Sequence, residues 1–332
     1  MPSALVTGAT GLVGSHIVER LLRDGWNVRG LVRAPSAAID ALGAESVRGD
    51  VLDASSFERA AAGCDVIFHT AAAITPRGGW EVYRRLNVDG ATNAIAAAQA
   101  AGARLLQLSS VAVYGSDARY RSSSAKTDEG TPLAPLPDNA YYARSKRESE
   151  RLVLDAHAAG RIWATAVRPV VIYGRRDRQF VPRLARVLRT GFAPLIAGGR
   201  STLAVVHAAN VADGAVLAAT NDRAGGNAYN LANDFDVTVR EFFTLGGEGL
   251  GRRVHLVPVP LALANAVFNT AMNAIDIASH GRASVLSNAS LSMLTRDNPF
   301  TSDRARGELG WSPAVRPEQG IPEAFRWWKT HH

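Results

Sequence analysis

The feature that most constrains this chain is a short apolar run, Ala4 to Thr7, that leads without a break into Gly8-Ala9-Thr10-Gly11-Leu12-Val13-Gly14 and then into helical spacing. In a strand-turn-helix unit, Gly8 permits the tight turn, Gly11 lets the backbone approach a pyrophosphate, and Gly14 lets helix and strand pack closely. The helix N-terminus supplies oriented N–H donors to the phosphates. No Gly-Lys-Ser/Thr follows, so the phosphate-cradling loop of NTPases is not matched. The context predicts a dinucleotide site whose backbone comes from Gly8, Thr10, Gly11, Leu12, Val13 and Gly14.

The first half keeps alternating short apolar runs with longer helical patterns, the sequence form of an α/β fold with a doubly wound parallel sheet. Ala4 to Thr7, Asn27 to Val32, Glu45 to Arg48, Val66 to Thr70, Arg104 to Ser109 and Trp163 to Arg168 read as strands. Leu12 to Arg23, Ser55 to Ala62, Trp80 to Ala101 and Tyr142 to Ala159 read as helices. After Tyr173 the alternation is lost: a basic helical segment, Phe180 to Thr190, precedes strand-like runs at Leu203 to His207 and Ala228 to Leu231, and the tail reads as mostly helical. The expected organisation is a Rossmann domain from 1–174 and 203–232, with a smaller, mostly helical C-terminal substrate domain from 175–202 and 233–330. The crevice between them is the expected ligand site. The Ser, Pro and Asp-rich stretch from Ser116 to Asn139 is long enough to suggest a lid.

Composition narrows the function classes. At 332 residues, 47% hydrophobic and 20% charged, the chain can bury a sizeable core without metals or cross-links. Its single cysteine, Cys64, cannot bridge within the chain, and no secretory leader pattern opens the sequence, so a reducing, cytoplasmic setting is expected. The net charge of +7 is spread along the chain with no basic run longer than two, which points to a solvated arginine-rich surface and not to a nucleic-acid partner. The longest apolar stretch, Leu256 to Ile277, contains Pro258 and Pro260 and carries Asn265, Asn269, Asn273 and Asp276 along one helical face, so it is no membrane span. By periodicity its Pro258 to Ile277 part is a core helix of the second domain more readily than a pocket wall. No His/Cys/Glu cluster has metal-ligand spacing, and no metal is expected.

The kind of dinucleotide is written at the end of the second strand, where a carboxylate would bind a ribose 2′-hydroxyl and an arginine a 2′-phosphate. Here stand Val32 and Arg33, with no carboxylate between Gly30 and Ser36, which favours NADP(H) and leaves NAD(H) open. Asp50, at the end of the third strand, is placed to meet the adenine amino group or to close an ordinary turn. Asp53 before Ser55 has helix-capping chemistry.

Tyr142 and Lys146 stand four residues apart, which on a helix puts both on one face. Ser109 and Ser110 close the fifth strand, so Ser110, Tyr142 and Lys146 converge at the carboxyl edge of the sheet. A carbonyl that accepts a hydride becomes an alkoxide and needs a proton, and the reverse reaction needs a base. An ammonium about 4 Å from a phenol contributes up to ~4 kcal/mol at an effective dielectric of ~20, enough to draw the phenol toward neutrality. Ser110 would hold the substrate oxygen as charge develops there.

Thr7-Gly8-Ala9-Thr10-Gly11-Leu12-Val13-Gly14, Ser109-Ser110-Val111-Ala112-Val113-Tyr114-Gly115 and Tyr142-Ala143-Arg144-Ser145-Lys146 together resemble the extended short-chain dehydrogenase/reductases over nearly the whole chain. The resemblance implies Ser110 as the catalytic serine, Tyr142 as acid/base and Lys146 as its partner and a holder of the nicotinamide ribose. It implies Asn87, in Asn87-Val88-Asp89-Gly90, as an active-site asparagine, against a purely structural role. Val51, Ala71, Ala72 and Ser109 would line the cofactor, with Pro169 and Val171 near the nicotinamide amide. Epimerases acting on nucleotide sugars usually carry an asparagine where Val170 stands. The sugar-nucleotide dehydratases carry Asp-Glu where Val111-Ala112 stand. The segment Val28 to Pro35 and the Arg168-Pro169 strand look more like the 3β-hydroxysteroid dehydrogenase and dihydroflavonol-reductase branch, which acts on relatively apolar carbonyls or secondary alcohols. The expected activity is therefore ketone–alcohol interconversion on a small molecule, with a nucleotide-sugar 4-epimerase holding NAD tightly as the alternative. A cofactor sensor without chemistry would not need the intact trio. His207 is expected to serve packing, and a homodimer through the two long helices follows from the resemblance alone.

Overall fold

The computed structural model describes residues 1–74, 79–115, 126–232, 235–264 and 288–332. Seven strands, β1 (Ser3–Thr7), β2 (Asn27–Val32), β3 (Glu45–Arg48), β4 (Val66–His69), β5 (Arg104–Leu108), β6 (Ala164–Pro169) and β10 (Ala228–Leu231), pair in parallel in the order β10-β6-β5-β4-β1-β2-β3. The order reverses between β1 and β4, which opens the crevice that a doubly wound sheet offers to a ligand. Two smaller parallel pairs follow, β7 (Val171–Tyr173) with β9 (Val205–His207), and β8 (Phe192–Ile196) with β11 (His255–Val259).

Alternation of side chains along each strand divides the core. Leu5, Ile67 and Leu105 face the helices Ala54–Ala61, Gly90–Ala101 and Tyr141–Ala158, where they meet Phe57, Ala94 and Val153. Ala4, Val6, Phe68 and Leu106 face the other way, onto Ile17 and Leu21 of the helix Leu12–Arg23 and Val211 and Ala215 of the helix Ala208–Thr220. Full burial of a side chain such as Phe57 or Ile17 stabilises by roughly 1.5–3 kcal/mol. The same period of two carries Thr7, His69 and Gln107 onto the face that holds the Tyr141–Ala158 helix, at the carboxyl ends of their strands and in register with one another.

The predicted sheet strands all form, with ends shifted by no more than one residue. The predicted helix Trp80 to Ala101 is interrupted: α-helical Gly79–Tyr83 passes into a π-helical stretch, Arg84–Asp89, before α-helix resumes at Gly90. That extra backbone turns Asn87 inward, to 2% exposure. The described tail is mostly helical, as expected, but the expected helix from Pro258 does not begin there: Pro258 and Val259 belong to β11, where valines and a proline on a two-stranded edge disfavour helix. Asn265, Asn269, Asn273 and Asp276 lie outside the described residues. None of the described helices is long and apolar enough to cross a membrane.

A third core gathers Tyr173, Val181, Leu195, Phe242, Phe325 and Trp328 between the helices Phe180–Leu188, Val239–Gly249 and Pro317–His331. Phe300, Ala305, Leu309 and Trp311, by contrast, pack into the core of the large sheet. Asn210, fully buried on the Ala208–Thr220 helix, pins the following segment there. Its Oδ1 accepts from the Ala314 and Val315 amides at 3.2 and 3.0 Å, its Nδ2 donates to the Val315 carbonyl at 2.9 Å, and its own carbonyl accepts from Trp311 Nε1 at 2.9 Å. Asn210→Ala removes a fully buried amide side chain together with its three hydrogen bonds to the Ala314–Val315 backbone and is expected to cost about 1–3 kcal/mol. Urea unfolding checks this, and a midpoint shift indistinguishable from zero would contradict it.

Candidate active site

Where β1 ends, the backbone crowds so closely that side chains are excluded. Gly8 has φ +64°, and a Cβ on it would lie 2.9 Å from the Ala71 amide nitrogen; a Cβ on Gly14 would lie 2.3 Å from the Gly8 carbonyl oxygen. Gly11 donates to that same carbonyl at 2.8 Å and then caps the helix without any side chain, so the opening N–H groups of Leu12, Val13 and Gly14 face the crevice free of a side-chain cap. This cradle fits the diphosphate of a dinucleotide. Thr10 stands beside it, half-buried.

The neighbouring loop is fastened to the turn. Thr7 Oγ1 accepts from the Thr70 and Ala71 amides at 3.1 and 3.2 Å and lies 3.0 Å from His69 Nδ1. Ala71 thereby sits against Gly8, followed by the half-buried Ala72. Asn87 holds the next residue: its Oδ1 accepts from the Ala73 amide at 2.7 Å, while its Nδ2 donates to the Ala73 carbonyl at 3.0 Å and to Ser145 Oγ at 2.8 Å. Both amide hydrogens are spent in tying the loop to the Tyr141–Ala158 helix, which is a positioning arrangement.

Arg33 follows β2 directly, is exposed, and enters no ion pair or hydrogen bond among the described residues. Asp50 spends Oδ1 on the Leu52 amide at 3.0 Å, so one of its oxygens closes a local turn. The Val51 carbonyl accepts from Asn93 Nδ2 at 2.8 Å. Asp53 caps the helix Ala54–Ala61 through the Ser56 amide, as its sequence context indicates.

Ser110, Tyr142 and Lys146 come together over the ends of β4 and β5. Ser110 adopts extended backbone at the start of a short 3₁₀ turn, Val111–Tyr114; its Oγ accepts from the Ala112 amide at 3.2 Å, and its hydroxyl lies near enough to the Tyr142 phenol to influence its ionisation. Lys146 is 3% exposed and donates from Nζ to the Leu108 carbonyl at 2.7 Å. Burial lowers its ammonium to about 8, opposed by the negative charge of Glu150. Burial also pushes the Tyr142 phenol above its ordinary range; the neighbouring Ser110 hydroxyl pulls it back and Tyr83 adds to the rise. This corrects the expectation that the ammonium makes the phenol acidic. Lys146 is committed to a backbone carbonyl, and the cost of a phenolate in a dry site outweighs what remains of its field.

Beneath the trio lies a row of buried polar groups without partners: Ser109 Oγ, Gln107 Oε1 and His69 Nε2. Desolvation holds His69 neutral, at about 3. An orphaned Ser109 hydroxyl at the strand end fits a cofactor or substrate polar group. Pro169 closes β6, and the Val171 amide donates to the Ala204 carbonyl at 3.2 Å, so the pair frames the far wall. Val170 between them is 6% exposed, its side chain in the sheet core. His207 is buried, caps the Ala208–Thr220 helix through the Ala209 amide at 3.2 Å, and stays neutral because burial holds it at about 3.

Two groups of neighbours escaped the reading of the sequence. Trp80, Tyr83 and Tyr141 form an aromatic run, with Tyr83 6.5 Å from Tyr142 between ring centroids, and Arg144 packs 3.9 Å over Trp80. Their signal was the i, i+3 aromatic spacing beside the active helix. The second group is the ion pair of Arg168 with Glu150, signalled only by a glutamate one turn after Lys146.

The fold is that of a Rossmann-type dinucleotide enzyme, and Ser110, Tyr142 and Lys146 gather at the carboxyl edge of its sheet. Residues 4–232 match the NAD dependent epimerase/dehydratase family, and the chain belongs to that family, among the extended short-chain dehydrogenase/reductases. It is 34% identical over 320 residues to the 4-hydroxy-2-methyl-3-oxo-4-farnesyl-3,4-dihydroquinoline-1-oxide ketoreductase of Stigmatella aurantiaca, covering 95% of this chain and 93% of that protein. It is 29% identical to a Mycobacterium tuberculosis 3 beta-hydroxysteroid dehydrogenase/Delta 5-->4-isomerase, over 97% of this chain and 89% of that one. Its fold matches the Bacillus cereus UDP-glucuronic acid 4-epimerase crystallised with NAD at a TM-score of 0.73, covering 99% of both chains at 19% identity. The chain is an NAD(P)-dependent oxidoreductase of this class, acting on CH–OH groups.

Gly14→Ala tests the cradle. Its methyl would strike the Gly8 carbonyl, and NAD(P)H affinity is expected to fall by about 100-fold or more, since each 1.4 kcal/mol is tenfold. Fluorescence titration of the nucleotide reads this; affinity within about twofold of the parent would contradict it.

Proposed function

We propose that this chain is an NADP(H)-dependent enzyme that interconverts a ketone and a secondary alcohol on a relatively apolar small molecule. The observation that carries the reading is the gathering of Ser110, at the end of β5, with Tyr142 and the buried Lys146, which share one face of the Tyr141–Ala158 helix, the Lys146 Nζ being held at the Leu108 carbonyl. In this reading the body containing residues 175–202 and most of 233–330 is the substrate domain. Relatives that reduce a farnesylated oxo-dihydroquinoline or oxidise a hydroxysteroid, as their names state, support an apolar substrate.

The bound nucleotide would supply or accept the hydride. The glycine turn and the N-terminus of the Leu12–Arg23 helix hold its diphosphate, Arg33 pairs with the 2′-phosphate, and Ser109 and Lys146 lie where the nicotinamide half would rest. Ser110 then fixes the substrate oxygen against the Tyr142 hydroxyl. Because burial keeps that phenol protonated through neutral pH, Tyr142 is poised as a proton donor, which suits carbonyl reduction. Lys146 counters the charge left on the phenolate after transfer, and does so as long as it is an ammonium. Depressed to about 8, it loses its proton as pH rises through that value.

Tyr142→Phe is expected to lower kcat by about 10²–10⁴-fold while NADPH affinity stays within about twofold, measured by absorbance assay and fluorescence titration. Full turnover in the variant would remove Tyr142 from the mechanism. Ketone reduction should hold steady from about pH 6 to about pH 7.5 and decline above about 8 as Lys146 deprotonates, whereas alcohol oxidation should rise with pH from neutrality as the phenol becomes easier to ionise. A reduction rate that climbs with pH would contradict the protonated phenol. Arg33→Ala should weaken NADPH by about 10–100-fold and NADH little, because a charge-assisted phosphate contact contributes about 1.5–3 kcal/mol. Equal losses for both nucleotides would contradict the pairing of Arg33 with a 2′-phosphate and remove the ground for preferring NADP(H).

A nucleotide-sugar 4-epimerase is the second reading, favoured by the fold neighbour. Against it, Val170 turns its side chain into the core where an asparagine would be needed to hold a sugar diphosphate. Stoichiometric NAD in the purified protein, with UDP-sugar turnover and no net NADPH consumption, would favour the epimerase.

A further inference from the structure

The charges behind the phenol are the part of the centre that the proposed reaction leaves unexplained. Glu150 lies one turn beyond Lys146 on the same helix, a spacing that stacks the two side chains. A carboxylate so placed in a dry interior would close onto the ammonium. Here it does not, because Arg168 forks onto both of its oxygens: Nε donates to Oε2 at 2.9 Å and Nη2 to Oε1 at 2.6 Å, with side chains 9% and 6% exposed. The third Arg168 donor, Nη1, reaches the Tyr114 hydroxyl at 2.6 Å, which donates onward to Asn230 Oδ1 at 2.9 Å. Asn230 stands in register with Arg168 on the adjacent strand and gives its amide to Glu129 at 2.6 Å. The fork is thus fixed from behind by groups on β10 and on the segment after residue 126. Lys146 in turn gives Nζ to the Leu108 carbonyl.

We propose that Arg168 is a positioning residue: by occupying both oxygens of Glu150 it keeps that carboxylate from clamping Lys146, so that Nζ stays on the Leu108 carbonyl at the strand ends, on the helix face it shares with Tyr142. The inference rests on the role given to Lys146 above. The other charged and titratable groups around this ammonium are consistent with it. Tyr142 and Arg147 share its helix, Arg147 being held by the Val113 and Ala134 carbonyls, and His69 on β4 is neutral. Among the described residues, Glu150 is the carboxylate whose field acts on Lys146.

The test reads Lys146 directly. The chain has only three lysines, Lys126, Lys146 and Lys329, so carbon-13 labelling at lysine Cε gives three NMR signals, and Lys146→Arg assigns the one of interest. Glu150→Gln leaves the Arg168 cation uncompensated behind the ammonium and should lower its titration midpoint by about one pH unit or more. Arg168→Met frees Glu150 to pair with Lys146 and should raise the midpoint by about as much, with kcat falling as Nζ is drawn away. Combining the two removes both charges; the midpoint should return to within about half a unit of the parent, and kcat should recover about tenfold over Arg168→Met. Midpoints that move in the same direction in the two single variants, or do not move, would overturn the proposal, as would a double variant no faster than Arg168→Met. Should a single variant fail to fold, Arg168→Lys keeps the charge and loses the fork: a raised midpoint with lowered kcat supports the proposal, and an unchanged midpoint overturns it. A ketone turned over at full rate by Tyr142→Phe, with the midpoints moving as stated, would instead sink the reaction assignment and leave the charge arrangement standing.

Discussion

A parallel sheet covered on both faces gives polar chemistry one way out, through the carboxyl ends of its strands. In this chain the alternation that buries Leu5, Ile67 and Leu105 against the layer formed by the Ala54–Ala61, Gly90–Ala101 and Tyr141–Ala158 helices also delivers Thr7, His69 and Gln107 to that side, two residues further on. Those groups, with Ser109 and Lys146, make a polar floor inside an otherwise apolar interior. The glycine turn lies at its edge because only there can the Leu12–Arg23 helix approach the strand within the distance that Gly8 and Gly14 allow. Fold and site are consequences of the same packing.

The buried floor also decides which electrostatic effect wins. Lys146 and Tyr142 are adjacent in the helix, yet desolvation acts on both toward neutrality, raising the phenol and lowering the ammonium. The proposed centre is a neutral acid beside a cation held in reserve. The ammonium is maintained by Glu150 and turned to use by the backbone carbonyl of Leu108, which sets where its nitrogen points.

Much of this was legible in the sequence, for physical reasons that can be named. The strand-glycine-helix passage and the four-residue Tyr142–Lys146 spacing are local, and local geometry follows from spacing. The exposed position of Arg33 was legible as well, since β2 ends on Leu31 and Val32 and the residue after it emerges. What was not legible depends on contacts between distant segments. Burial reverses the shift expected for Tyr142, and no spacing reports burial. Asn87 matched an active-site pattern, but its hydrogen bonds to Ala73 and Ser145 show a part in holding the loop to the helix. The fork of Arg168 on Glu150 joins residues 18 apart, and β11 formed where helical periodicity was expected because its partner β8 lies some sixty residues earlier. The seam where Phe300 to Trp311 return to the sheet core is of the same kind.

The account turns on a hydride leaving the nucleotide for an apolar carbonyl while this chain supplies the proton. NADPH deuterated at C4 on the transferable face, incubated with the protein and an apolar ketone, tests that most directly when the products are analysed by mass spectrometry. One deuterium on the carbinol carbon for each cofactor oxidised is the expected result. Deuterium retained on the nucleotide after the substrate has turned over would contradict it.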